Sequence, residues 1–280
     1  MNERKIKKTY LGYQWALVTG ASSGIGEAFA HELTGRGMNI LLIARSEDKL
    51  SQLAHVLEQK KVSVRTYAVD LSSIGAADKV ASWCIKEKIE PDLLVNNAGF
   101  GLFGTFEQHS PSEYADMIHL NVRSLTELCA FFLPAMVQRR RGGVINVASQ
   151  AGLVPVPYYS VYGASKAYVV NFTYALWGEY RQQGIRLTCL APGPTRTAFQ
   201  KRAGSKSHGY MQQPREVVLS ALAAFERNRP LVVTGSGRWV TSFFPVHLIP
   251  KTTVVSYVAK IFKPEKRITS LAKEKSSTGE

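Results

Sequence analysis

Short apolar runs rich in β-branched residues alternate along this chain with longer stretches whose apolar positions recur every three or four residues. The short runs, at 15–18, 39–43, 63–68, 92–95, 143–147, 186–190 and 230–233, predict seven strands. The longer stretches, at 24–36, 46–60, 76–88, 111–139, 161–183 and 214–227, predict helices. Several begin sensibly: Ser46 precedes Glu47 and Asp48, Ser110 precedes Pro111, and Pro214 opens its segment. No repeat or low-complexity linker breaks the rhythm. Strict strand–helix alternation predicts a single doubly wound α/β domain, a seven-stranded parallel sheet with helices on both faces, over 11–235. A basic tail (1–10) precedes it, and an apolar C-terminal extension (236–264) and a flexible basic tail (265–280) follow. Two segments fall outside the rhythm: 194–213, polar and glycine-containing, and everything after Thr234.

Composition changes this picture little, since 45% hydrophobic and 20% charged residues in 280 are those of an ordinary folded protein. The formal charge of +14 invites a polyanion or an anionic membrane as partner. Its distribution argues otherwise: much of the excess lies in Arg4, Lys5, Lys7 and Lys8, in Arg139, Arg140 and Arg141, and in Lys263, Lys266, Arg267, Lys273 and Lys275. These read as solvated ends and a helix terminus, so no nucleic-acid partner is expected. Cys84, Cys129 and Cys189 are odd in number and widely separated, which predicts neither a disulfide framework nor a zinc site and fits a reducing cytoplasm. His31, His55, His109, His119, His208 and His247 show no metal-ligand spacing. No secretory signal is evident, and no uninterrupted apolar run reaches bilayer-spanning length, so a soluble cytoplasmic protein is expected.

Chemistry enters at the first predicted strand, which runs into Thr19-Gly20-Ala21-Ser22-Ser23-Gly24-Ile25-Gly26 and then a helix. Such a turn lets backbone N–H groups and a helix N-terminus meet a pyrophosphate, the Rossmann-type arrangement. Gly20 would make the turn, Gly24 admit the phosphates and Gly26 allow close helix–strand packing. A ligand-free turn is the plainer alternative. After the second strand comes Ala44-Arg45-Ser46. An arginine cannot accept from ribose hydroxyls as a carboxylate does, yet it can pair with a 2′-phosphate, so NADP(H) is expected over NAD(H). The hydroxyls of Ser22 and Ser46 can add contacts.

Ser149 ends the fifth strand, and Tyr162 and Lys166, four apart on the next helix, share one face. An ammonium beside a phenol of ordinary pKa about 10, together with an oxidised nicotinamide, would stabilise the phenolate. Thr19 to Gly26, Asn96-Asn97-Ala98-Gly99, Ser149, Tyr162-x-x-x-Lys166 and Pro192-Gly193 together resemble the ordered signature of the short-chain dehydrogenase/reductase family. Within it the chain looks like the branch of 3-ketoacyl reductases and 17β-hydroxysteroid dehydrogenases, though without their membrane-spanning N-terminus. The resemblance implies that Ser149 binds the substrate oxygen, Tyr162 exchanges the proton, Lys166 also holds the nicotinamide ribose, and Asn121 completes a tetrad holding a relay water. It further implies cofactor contacts from Gly20, Ser22, Ser23, Gly24, Ile25, Gly26, Arg45, Asp70, Leu71, Asn97, Ala98, Gly99, Pro192, Gly193, Thr195 and Thr197. Asp70 and Leu71 would border the adenine; Asn97 would brace the sheet.

For the substrate there are only pocket walls to read. Phe100, Leu102, Phe103, Leu153, Val154, Pro155, Val156 and Tyr158 flank the expected site and predict an apolar cavity, with Tyr159 as a further wall. Arg196, Lys201, Arg202 and Lys206 make 194–213 either a basic lid, suited to a thioester on a phosphorylated carrier, or a solvated loop. The apolar residues Phe243, Phe244, Leu248, Ile249, Val254, Val255, Tyr257, Val258 and Ile261 would close the pocket or pair subunits of a homo-oligomer, or else lie on a membrane surface. The expected activity is NADPH-dependent interconversion of a carbonyl and a secondary alcohol. An NADPH-binding regulator without turnover and an oxidative steroid or alcohol dehydrogenase are the rivals.

Overall fold

A computed structural model describes residues 10–205, 210–235 and 249–263. All seven expected strands form: β1 Trp15–Thr19, β2 Asn39–Ala44, β3 Val64–Ala68, β4 Leu93–Asn96, β5 Gly142–Val147, β6 Ile185–Pro192 and β7 Leu231–Thr234. They make one wholly parallel sheet in the order β3-β2-β1-β4-β5-β6-β7. The chain's direction of winding reverses between β1 and β4. Parallel sheets leave a crevice at the carboxyl ends of the strands at such a point.

Side chains alternate between two cores, as the pleat requires. Ala16, Val18, Ile40 and Leu42 join one core with Phe29, Leu50 and Phe225. Leu17, Leu41 and Ile43 join the other with Val80, Leu128 and Val169. The first core is therefore covered by α1 (Gly24–Gly35), α2 (Glu47–Glu58) and α8 (Pro214–Glu226), the second by α3 (Ala76–Lys86), α5 (Leu125–Gln138) and α6 (Ser160–Tyr180). Each large apolar side chain so buried contributes roughly 1.5–3 kcal/mol.

The stretch expected as one helix over 111–139 has an internal irregularity. α4 (Pro111–Ile118) starts at a capping box in which Ser110 and Glu113 satisfy each other's backbone. It then passes through a π turn, His119–Ser124, into α5. Counted together, Pro111–Gln138 is long and apolar enough to cross a membrane by length and composition alone, though Glu113, Asp116, Arg123 and Glu127 interrupt it. Its apolar side faces the sheet instead: Leu125, Leu128, Cys129, Leu133 and Met136 are buried in the second core.

Two helices escape the periodicity reading: short α7 (Phe199–Ala203) within the polar stretch, and α9 (Lys251–Phe262) in the C-terminal extension. The folded domain also begins earlier than expected. Tyr10, assigned to the tail, is buried and donates its hydroxyl to the Leu222 carbonyl at 3.1 Å. The rest of the basic tail (1–9), Lys206 and His208, Phe243, Phe244, His247 and Leu248, and the tail over 265–280 lie outside the described residues.

Candidate active site

The turn after β1 is built around two left-handed glycines, Gly20 (φ 63°) and Gly24 (φ 62°). A Cβ at Gly20 would stand 2.8 Å from Asn97 Nδ2, and one at Gly24 would stand 2.8 Å from Thr197 Cγ2. Gly26 packs against the Gly20 carbonyl and Asn97 with no room for a side chain. Ser23 caps α1 in an extended conformation without a side-chain hydrogen bond, so its hydroxyl does not satisfy the first-turn amides. Ser22 adjoins it, while Ile25 packs partly into the first core. First-turn amides left uncapped by Ser23 and absent Cβ atoms at a positive helix end form a cradle that a pyrophosphate fits. The glycine turn between β1 and α1 stands where the sequence placed it.

Asn97 locks that cradle to the next strand. Its Nδ2 donates to the Thr19 carbonyl (2.9 Å) and the Gly20 carbonyl (3.3 Å). Thr19 Oγ1 in turn accepts from the amides of Asn97 and Ala98. Asn96 points the other way and starts a buried ladder: it donates to Asn146 Oδ1 (2.9 Å), and Asn146 donates to Thr173 Oγ1 (3.0 Å) on α6. Unpaired buried polar groups are costly, so this ladder holds α6 in register with β4 and β5.

At the end of β2, Arg45 is 67% exposed and lies 3.6 Å from the Asp70 carboxylate. Burial pushes the Asp70 carboxyl up, but the Ser72 amide and hydroxyl and the Arg45 guanidinium outweigh it and hold the group below the usual range. Leu71 sits behind, its side chain in the second core and its carbonyl accepting from the Ser124 hydroxyl. Ser46 caps α2 without a side-chain bond. The pair Arg45 and Asp70 thus stands beside the glycine turn, an exposed cation with a weak partner.

Ser149, Tyr162 and Lys166 are brought together. Ser149 Oγ accepts from the Ala151 amide at 3.2 Å, and the Ser149 hydroxyl lies close enough to that of Tyr162 to favour its charged form. Lys166 Nζ donates to the Val147 carbonyl at 2.9 Å and lies 5.9 Å from the centre of the Tyr162 ring. All of Lys166 is buried, which pushes its ammonium down to about 8. Burial pushes the Tyr162 hydroxyl up, with the Ser149 hydroxyl pulling against it. Here burial sets the direction of the shift; the sequence expectation paired Lys166 with an oxidised nicotinamide in stabilising the phenolate.

Asn121 is fully buried in the π turn. Its Nδ2 donates to the Phe100 carbonyl (2.9 Å) and Ser165 Oγ (3.0 Å), and its Oδ1 accepts from the Phe100 amide (3.1 Å). A Cβ at Gly99 would stand 2.9 Å from Asn121 Oδ1 and 3.2 Å from Lys166 Nζ, so amide and ammonium approach across one glycine's width. Pro192 pairs with Thr234 at the end of β6, and Gly193 donates its amide to the Thr234 carbonyl. Thr195 Oγ1 donates to the Gly193 carbonyl, while Thr197 overhangs Gly24.

Aromatic rings wall the site. Tyr159 lies 5.6 Å from Tyr162 and 4.9 Å from Phe103, and Phe103 lies 6.4 Å from Tyr158. Tyr158 adopts φ 67°, a strained conformation for a bulky residue. Sequence reasoning missed two of the walls. Phe199 of α7 lies 5.3 Å from Tyr162, and Phe262 at the end of α9 meets Tyr159 edge-on at 6.1 Å. Phe199 is the lone phenylalanine in its polar stretch, the one signal that marked it. Val156 is buried, and Leu153 packs against the second core rather than standing free. Among the described residues no cluster of potential metal ligands occurs.

Residues 14–208 match the family model described as short chain dehydrogenase. The chain is 38% identical to the very-long-chain 3-oxoacyl-CoA reductase of Mus musculus over 184 residues, 64% of this chain and 58% of that protein. It therefore spans less than two thirds of that relative's length. Its fold is similar to a short-chain dehydrogenase from Sphingobium yanoikuyae solved with NADPH, with TM-score 0.76 and 32% identity over 81% of this chain and 91% of the other. It is also similar to a bulky-bulky ketone specific alcohol dehydrogenase from Comamonas testosteroni, with TM-score 0.72 and 29% identity over 81% and 90% of the two chains.

Proposed function

This chain belongs to the short-chain dehydrogenase/reductase family, and from that premise we propose that it is an NADPH-dependent oxidoreductase interconverting a carbonyl and a secondary alcohol, reducing an apolar ketone or a 3-ketoacyl thioester. The observation that carries this reading is the convergence of Ser149, Tyr162 and the Lys166 ammonium, which is tied to the Val147 carbonyl, at the strand ends next to the glycine turn. The dinucleotide, when bound, supplies or accepts the hydride. Gly20, Ser22, Ser23, Gly24 and Gly26 would hold its pyrophosphate, Arg45 its 2′-phosphate, and Asn97, Ala98, Gly99, Lys166, Pro192, Gly193, Thr195 and Thr197 the nicotinamide half.

The residues' own chemistry suits reduction. Ser149 donates a hydrogen bond to the carbonyl oxygen and stabilises the negative charge that develops there. Tyr162 gives its hydroxyl proton to that oxygen. Burial keeps the hydroxyl protonated well above neutral pH, the state a general acid needs. Lys166 and Asn121, converging on Gly99, mark the route by which the proton is replaced.

The rings of Phe103, Tyr159, Phe199 and Phe262 exclude water and favour an apolar substrate. The names of the two relatives, a 3-oxoacyl-CoA reductase and a bulky-ketone alcohol dehydrogenase, point to the same class. A cytoplasmic setting accords with three buried free thiols, Cys84, Cys129 and Cys189.

Following NADPH and NADH oxidation against a panel of ketones, aldehydes, quinones and 3-ketoacyl thioesters tests the reading. NADPH-dependent reduction of the apolar carbonyl compounds is expected. In a parallel assay of NADP+ reduction by the matching alcohols, turnover there alone would reverse the direction, and NADPH binding without turnover in either assay would make the chain a sensor.

A further inference from the structure

Where β5 and β6 begin, at the end of the sheet opposite the active site, lies a cleft of about 250 Å³ walled by Arg140, Arg141, Arg181 and Arg186, with Tyr13 and Asn228. No acidic residue lines it. Arg141 has a carboxylate partner, Asp92 Oδ1 at 3.0 Å, and the other oxygen of that carboxylate already accepts from the Gln14 and Trp15 amides. Among the described residues no carboxylate lies within ion-pair distance of Arg140, Arg181 or Arg186. The adjoining cavity is the contrast, because there Arg139 pairs with Glu90.

Like charges on long side chains ordinarily swing apart into solvent. Here backbone and ring contacts bring the four residues to one place. The Arg181 guanidinium lies 4.6 Å above the Trp177 ring, and Trp177 Nε1 is tied to the Asn228 carbonyl at 2.9 Å. Arg140 adopts φ 50°, a conformation costly for any residue but glycine, and its carbonyl presses so closely on Gly184 that a Cβ there would overlap it. The loops entering β5 and β6 are thereby fastened to each other. Arg186, inside β6, pairs in register with Gly143 of β5. Burial pushes the nearby Tyr13 hydroxyl up to about 12, with Arg186 and Arg141 both pulling against it.

Three of the four arginines lining the cleft have no carboxylate partner among the described residues, so it carries an excess of positive charge that a multiply charged anion would match better than one carboxylate. The planar guanidinium forks match phosphate oxygens two at a time. We propose that this cleft binds a compact anion bearing two or more phosphate groups, either free in solution or as the headgroup of a phosphorylated lipid. This inference is independent of the catalytic reading, since the cleft and Ser149 lie at opposite ends of the sheet.

Calorimetric titration with tripolyphosphate and flotation with phosphatidylcholine vesicles, with and without phosphatidylinositol bisphosphate, separate the two sources. Each uses the full chain and the variant R140G/R186Q. Saturable binding of tripolyphosphate, weakened at least about tenfold in the variant and falling with added salt, is expected for a free ligand. Flotation of the wild type, but not of the variant, on the bisphosphate vesicles alone assigns the lipid headgroup. Failure to bind either probe, or equal binding by the variant, overturns the proposal. Should the double variant not fold, R140G alone serves, because glycine suits the backbone at that position.

Discussion

Lys166 donates to the Val147 carbonyl at 2.9 Å while its ammonium stands 5.9 Å from the centre of the Tyr162 ring. One hydrogen bond to the strand end therefore fixes where a buried cation sits relative to the Tyr162 phenol. α6 supplies both side chains, and the Asn96–Asn146–Thr173 ladder holds that helix to the sheet. The site is preorganised by backbone pairing some distance from the chemistry.

Tyr162→Phe removes the acid and keeps the ring. Carbonyl-dependent NADPH oxidation should fall by about 10²- to 10⁴-fold. Dinucleotide affinity, followed by fluorescence titration, should change little. A variant retaining most of its turnover would take Tyr162 out of its role.

Burial lowers the Lys166 pKa from 10.5 to about 8 in the fold. Below about 8 the buried charge costs stability. Between about 8 and 10.5 the unfolded chain holds a proton that the folded chain has lost, so rising pH favours the fold through this window. Chemical denaturation at several pH values should show wild-type stability gaining on Lys166→Met by up to about 1.4 kcal/mol per pH unit there. Parallel curves for the two chains would contradict the shift.

Asn121 joins Phe100 and Ser165 through three hydrogen bonds inside the π turn. Asn121→Ala leaves buried backbone groups unpaired. A loss of about 1–3 kcal/mol in urea denaturation is expected, together with a fall in kcat. A fall in stability alone would confine Asn121 to the architecture.

Arg45 offers an exposed guanidinium to a 2′-phosphate, and its only ion-pair partner among the described residues is Asp70 at 3.6 Å. Arg45→Asp should move the ratio of kcat/KM for NADPH over NADH toward NADH by about tenfold or more, the worth of one charge-assisted hydrogen bond. An unchanged ratio, or a wild type that uses NADH equally well, would remove the basis for NADPH preference.

Phe199 and Phe262 approach the surroundings of Tyr162 from α7 and α9. Phe199→Ala should raise KM for bulky apolar ketones more than for small ones, as lost apolar contact grows with substrate size. Equal effects on all substrates would place the ring outside the substrate's path.

The seven strands, the glycine turn and the Ser149, Tyr162 and Lys166 set were legible in the chain, because apolar runs, period-3.6 patterns and four-residue helix spacing are local properties, whereas the order of the strands in the sheet is not. Even the irregularity at Asn121 left a trace only in that residue's identity. The π turn itself needs the Phe100 loop as its partner, and no local pattern encodes that. The same holds for the direction of the Tyr162 shift, which depends on how completely the neighbouring elements bury it.

The linear order of residues thus determined the doubly wound architecture and which groups share a helix face. Folding alone decided that a phenylalanine in a polar stretch and another at the C-terminal helix would stand around the phenol. It also turned Arg140 and Arg141, which read as a solvated helix end, into one side of a four-arginine cleft. The reason is geometric: parallel pairing of β5 with β6 brings the loops before them side by side, and proximity between distant segments is a product of register, which no short window of sequence contains.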